Sequence, residues 1–181
     1  MIIGLSGLAR CGKDSFFNFS KELFDEKHIE CKRLAFADEL KKELDSFLMD
    51  NFGISSFSEC TEEKEIIRPI MVSYGMAKRE LSNGLYWISK IEKELRVLKD
   101  ECEYYFITDV RFPNEIQKIK DMNGISIHIT RELNLPPNEE EALNDPIVKE
   151  LSDFNFYWEN FDNIESKKPK QLVDQFLKKI L

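Results

Sequence analysis

The residues with the clearest chemical capacity lie at the start of the chain. Gly7-Leu8-Ala9-Arg10-Cys11-Gly12-Lys13-Asp14 fits the pattern GxxxxGK, with Asp14 where Ser or Thr is usual and Ser15 one step later. Three of the seven glycines fall within the first twelve residues, so the clustering is informative. Small residues let successive backbone N–H groups wrap a phosphate, where a Cβ would obstruct the approach. A helix behind such a loop adds its unpaired N–H groups and the positive end of its dipole. Lys13 supplies a mobile cation for the outer phosphates. Gly7, Arg10, Cys11, Gly12, Lys13, Asp14 and Ser15 are therefore the candidate nucleotide-binding residues. Asp14 could hold Mg²⁺, which prefers hard oxygen ligands, or could sit in the first turn only because the helix dipole favours an acid there. Ser15 is the other candidate Mg²⁺ ligand. A dinucleotide loop would need GxGxxG and an acid ~20 residues on; the glycine spacing here does not provide it. No Asn-Lys-x-Asp motif points to a GTPase.

Such a loop needs a strand in front and a helix behind. Residues 2–6 read as a short buried strand, and Phe16, Phe17, Phe19, Leu23 and Phe24 share one face at helical spacing. Further strands are expected at 33–36, 104–108, 125–130 and 155–159. Helices are expected at 39–52 with Gly53 as the stop, at 69–81, at 85–102, from Pro113 to Asn123-Gly124, and at 172–180. Residues 54–64 read as a polar loop. Residues 132–150, acidic and proline-bearing without a clear period, read as a mobile loop or lid. His128 falls on the polar side of an alternating, half-buried strand and reads as structural. Strands alternating with helices imply an α/β fold with a mostly parallel sheet covered on both faces.

The chain has 181 residues, the length of one domain, and 42% of them are hydrophobic. Its 34 acidic against 26 basic residues give a net charge of −8. That balance argues against a nucleic-acid partner, which needs a broad basic face, but not against a small anion held by local cations. No apolar run approaches the ~18 residues of a membrane span, and the first residues do not make a signal peptide. The expected location is the cytoplasm, with no membrane partner. Cys11, Cys31, Cys60 and Cys102 form no CxxC pair, and His28 and His128 have no ligand-spaced partner. Free thiols are expected, without zinc or disulfides.

GLARCGKDS resembles the Gly-x-x-x-Ser-Gly-Lys-Asp-Thr/Ser loop of bacteriophage deoxynucleoside monophosphate kinases, with Cys11 in the Ser position. Three further segments agree in order: LAFADELK at 34–41, RPIMVSYG at 68–75 and ITDVRFPNE at 107–115. Together they cover most of the first 130 residues. Beyond Arg131 the chain departs: the family's His-x-Ser-Glu stretch is replaced by Asn138-Glu139-Glu140-Glu141.

The resemblance implies a three-layer P-loop NTPase fold of the nucleoside monophosphate kinase type, a single domain over 1–181. It implies a helical acceptor-binding insertion at about 54–102 and a lid at about 132–150. It also implies transfer of the ATP γ-phosphoryl to a deoxynucleoside monophosphate, in the host cytoplasm for a phage protein, supplying DNA precursors. Phosphoryl transfer requires positioning and charge neutralisation, which Mg²⁺, Lys and Arg supply. Lys13, Arg68 and Arg111 are the candidate catalytic cations, and Arg131 a candidate ATP contact. Asp38, Arg68, Arg79 and Trp87 (or Tyr74) are candidates for holding the acceptor. Asp109 could approach Mg²⁺ through water or cap the turn toward Pro113. Asp38 could orient the acceptor or serve as the N-cap of the 39–52 helix. Each arginine could equally be a solvated surface residue, and Trp87 core. A homodimer is compatible with the sequence, which does not fix the oligomeric state. Two alternatives remain open: a kinase of another small acceptor such as dephospho-coenzyme A, and a nucleotide-dependent regulatory protein without turnover.

Overall fold

Five parallel strands form one sheet in the order β2-β3-β1-β4-β5. The computed structural model describes residues 1–98, 101–132, 134–158 and 168–181. In chain order the elements are β1 (Ile2–Ser6), α1 (Lys13–Asp25), β2 (Cys31–Leu34), α2 (Phe36–Phe52), α3 (Thr61–Leu81), α4 (Tyr86–Val97), β3 (Tyr104–Val110), α5 (Pro113–Asp121), β4 (Ile125–Arg131), α6 (Glu139–Leu151), β5 (Phe154–Trp158) and α7 (Lys168–Ile180). They divide into two compact units. One comprises Met1–Leu34 with Lys99–Leu181, the other Ala35–Leu98.

The first unit holds the sheet between two helical layers. Ile3 and Leu5 of β1, Phe106 of β3, Ile127 and Ile129 of β4 and Phe156 and Trp158 of β5 pack on α1 and α7. Aromatic rings carry this layer: Phe16 lies 4.9 Å from Phe156, and Phe156 lies 4.8 Å from Trp158 and 5.1 Å from Phe176. Edge-to-face pairs of this kind add about 0.5–1.5 kcal/mol each beyond the burial of their area. Alternation sends Gly4, Ser6, Ser126 and His128 to the opposite face, where α5 and α6 lie. The chain leaves β1 for the β2 side, returns to β3, then crosses β1 to reach β4. A crevice therefore opens at the carboxyl end of β1, where open α/β sheets bind ligands.

Several expected boundaries move. β2 ends at Leu34 and α2 begins at Phe36, so Asp38 lies inside the helix and Ala35 occupies the N-cap. The N-cap alternative for Asp38 is thereby excluded. Gly53 closes α2 at φ 66°, as expected. The helix expected at 69–81 starts eight residues earlier, at Thr61, with Pro69 inside it. Its first turn carries Glu62 and Glu63, acids that a helix N-terminus favours. Residues 139–151 are helical rather than a loop. Asn138 caps the helix by accepting the Glu141 N–H at 2.8 Å, and glutamates fill the first turn. The internal Pro146 and mixed polarity hide its period in the sequence.

β3 runs through Asp109 to Val110, past the expected end at Thr108. Gly4 pairs with Ile107 but Ser6 pairs with Val110, so β3 carries an extra residue at Thr108-Asp109. Such a bulge re-aims side chains at a strand end. The turn after it is tied down by Glu115, buried in α5, whose Oε2 accepts the N–H groups of Arg111 at 2.7 Å and Phe112 at 3.0 Å.

Candidate active site

The loop between β1 and α1 takes its path from two glycines. Gly7 has φ 126° and Gly12 φ 97°, both in the region that L side chains rarely adopt. A Cβ on Gly7 would lie 2.2 Å from the Ile129 carbonyl oxygen, and one on Gly12 would lie 2.6 Å from Trp158 Nε1. The same indole N–H donates to the Gly12 oxygen at 3.2 Å, so β5 pins the loop just before α1. Arg10, at φ 63°, is an exposed non-glycine in the left-handed region at the loop tip. Helix geometry leaves the first-turn N–H groups at Lys13, Asp14 and Ser15 without an intrahelical acceptor. They sit at the positive end of the α1 dipole and point at whatever anion the loop holds.

Lys13 Nζ donates to the Gly7 oxygen at 2.8 Å and to the Leu8 oxygen at 2.9 Å. Cys11 is buried beneath it, and burial pushes the thiol above its ordinary pKa although the Lys13 ammonium works against this. Asp14 and Ser15 are both exposed in the first turn of α1, hard-oxygen donors suited to Mg²⁺. Asp109 is half-buried at the bulge of β3. Arg111, 53% exposed, lies 3.7 Å from Glu141. Arg131 is exposed at the end of β4 and lines a small cavity of about 30 Å³ with Leu8, Cys11, His128 and Asp145.

The second unit, taken by itself, carries the remaining candidates. Arg68 is exposed and Arg79 half-buried on α3. Eleven helical residues bring them to nearly the same face but separate them by about 16 Å along the axis, so both reach one phosphate only with their side chains extended toward each other. Asp38 is half-buried in the first turn of α2. Trp87 is 7% exposed and its indole N–H donates to the Gly75 oxygen at 3.1 Å. The ring is thus core, the bland alternative, and is not open for stacking a base. A groove of about 800 Å³ lies between α2 and α3, lined by Leu44, Phe47, Pro69, Ile70, Ser73, Tyr74 and Glu43. The Glu43 carboxylate accepts the hydroxyls of Tyr74 at 3.0 Å and Tyr86 at 2.8 Å and pairs with Lys90, and these contacts hold it below the usual glutamate range against the cost of its burial.

Four residues around the loop between β1 and α1 escaped the sequence reading. Glu141 Oε2 accepts the Ala9 N–H at 2.9 Å, and Asn134 Nδ2 donates to the Ala9 oxygen at 3.0 Å. Trp158 pins Gly12. Asp145 sits beside His128, its carboxyl raised by burial, with Glu141 adding to the effect and Lys149 and Lys13 opposing it. Among these only Glu141, in the stretch that departs from the family pattern, carried any signal.

His128 is structural, as expected, but its face is buried against α6 rather than solvated: it is 2% exposed. Nδ1 lies 3.2 Å from Ser6 Oγ, and Nε2 lies 3.7 Å from Asp145, too far for a hydrogen bond. Burial first, then the charges of Lys149 and Lys13, push its pKa down to about 4, so the ring is neutral and makes no ion pair. Above pH 6.5 it is neutral folded or unfolded. As pH falls from 6.5 toward 4 the unfolded chain takes up the proton first, and stability falls by up to about 3 kcal/mol. Asp145 acts the other way, since its raised pKa favours protonation in the folded state. The natural chain should therefore lose about 3 kcal/mol more than His128→Asn between pH 6.5 and 4 in urea melts. Equal slopes would assign the pH dependence elsewhere.

No family model and no curated protein matches the chain. Solved structures do. A dephospho-CoA kinase from Campylobacter jejuni aligns over 99% of this chain and 96% of its own, at TM-score 0.56 and 17% identity. The chain shares the three-layer α/β fold of that kinase. TT1252 from Thermus thermophilus aligns over 100% of this chain and 97% of its own, at TM-score 0.51 and 11% identity. At these identities the likeness is one of fold. No described helix is long and apolar enough to cross a membrane.

Proposed function

We propose that this chain is an ATP-dependent kinase that transfers the γ-phosphoryl group to a deoxynucleoside monophosphate. The observation that carries the kinase reading is the loop 7–15. Its two positive-φ glycines, lysine and helix N-terminus stand together at the carboxyl end of β1, where this fold places its crevice. Lys13 neutralises charge on the transferring group, and Arg111 is a second cation on the same unit. Mg²⁺, when bound, supplies further neutralisation; Asp14 or Ser15 would hold it, with Asp109 acting through water.

The acceptor follows from the resemblance of segments 34–41, 68–75 and 107–115. The unit Ala35–Leu98 suits such a substrate: exposed Arg68 can take a phosphate, and the groove beside Pro69 offers apolar walls with Tyr74 and Ser73 for polar edges. Asp38 and Arg79 are further acceptor contacts on the same unit, and the stretch around α6 acts as lid.

An acceptor panel tests this reading. With MgATP, one or more of dAMP, dGMP, dCMP and dTMP should yield the diphosphate, and dephospho-coenzyme A should react weakly or not at all. Arg68→Ala should raise the acceptor KM or lower kcat by about 10-fold or more while leaving the KM for ATP unchanged. The fold likeness to dephospho-CoA kinase favours a second reading, transfer to that acceptor, and preferential turnover of it would replace the first. Binding of MgATP without turnover of any acceptor would favour a regulatory protein.

A further inference from the structure

Helix α6 sets two acids, Glu141 and Asp145, four residues apart on one face, against the phosphate loop. Glu141 is 11% exposed in its side chain. One oxygen accepts the Ala9 N–H at 2.9 Å and the other lies 3.7 Å from Arg111 Nη1. At the same time Lys13 Nζ is engaged by the Gly7 and Leu8 oxygens. A loop N–H, the loop lysine and a neighbouring arginine are the groups a polyphosphate would use. In this conformation the chain's own oxygens accept from the first two, and a Glu141 oxygen lies 3.7 Å from the third, close enough for an ion pair but not for a hydrogen bond. A carboxylate shares with phosphate the delocalised anionic oxygens that accept charge-assisted hydrogen bonds. The cap from Asn138 fixes the Glu141 backbone, so the placement is built rather than incidental.

We infer that Glu141 is an internal competitor for nucleotide phosphate. Its carboxylate occupies the loop until a polyphosphate displaces it, and its departure frees Arg111 for the incoming charge. Observed affinity is then the intrinsic affinity reduced by the fraction of molecules with Glu141 withdrawn. This inference rests on the reading of 7–15 as a phosphate site.

The test is equilibrium binding of inorganic tripolyphosphate and of MgATP to the full chain and to Glu141→Gln, Glu141→Ala and Glu139→Gln. Gln keeps an acceptor for the Ala9 N–H and removes the charge, so it preserves the fold if Ala disturbs it. Glu139, exposed in the same helical turn, controls for bulk charge. Both Glu141 variants should bind both ligands about 5- to 20-fold more tightly, as expected for removal of a competing closed state, with Glu139→Gln changed less than about twofold. Unchanged or weaker binding by the Glu141 variants, with the natural chain binding normally, would make Glu141 a support of the loop and overturn the inference alone. Equal tightening in Glu139→Gln would reduce it to a bulk charge effect. Failure of every form to bind tripolyphosphate would overturn the phosphate site and the inference together.

Discussion

Lys13→Met is expected to lower phosphoryl transfer by about 10²–10³-fold while leaving the chain folded. The ammonium's described partners are the Gly7 and Leu8 carbonyl oxygens and the Cys11 sulfur, all within its own loop, and the side chain is half-exposed. Its loss therefore opens no core cavity. Met keeps the stem length and most of its packing and removes the charge, which matters most when charge spreads over the phosphoryl oxygens in the transition state. An unchanged far-UV circular dichroism spectrum with a large fall in kcat is the expected pair of results. Near-normal turnover would remove Lys13 from the chemistry.

Gly7→Ala should act on the fold as much as on the site. The backbone at φ 126° resists any L side chain, and the new methyl would press at 2.2 Å on the Ile129 carbonyl oxygen, a backbone atom of a central strand that cannot swing aside. Strain and overpacking together should cost about 3 kcal/mol or more. For a chain of this size that lowers the melting temperature by roughly 6–12 °C. Nucleotide binding should weaken as well, because the loop can relieve the clash only by moving off its path. A melting temperature within about 2 °C of the natural chain, with unchanged ATP affinity, would contradict the loop geometry. By contrast, Gly53→Ala meets no atom within 4 Å and bears only the cost of its φ.

Much of this architecture is legible in the residues. The loop 7–15 announces itself because chemistry and backbone sterics demand the same residue types in one short stretch. The apolar run at 2–6 and the phenylalanines of α1 are local signals whose period survives in the fold. Pro113 and Asn123-Gly124 mark the ends of α5 because both act through the backbone of their own turn. Where local signals conflicted, boundaries slipped: Pro69 reads as a helix start but is accommodated inside α3, and Asp38, open to reading as a cap or as an acceptor contact, lies within α2.

The sequence by itself determined the glycine-bearing turn between the first strand and helix, the alternation of strands and helices and hence the parallel sheet, since these follow from spacing within a few residues. Only the tertiary structure decided what surrounds the loop. Trp158 meets Gly12, Asn134 and Glu141 grip Ala9, and His128 is buried against Ser6, across separations of up to 146 residues. No local period encodes such pairs. They arise because a parallel sheet brings the carboxyl ends of strands distant in sequence to one edge, and because a helix laid across that edge presents whichever residues its turn selects.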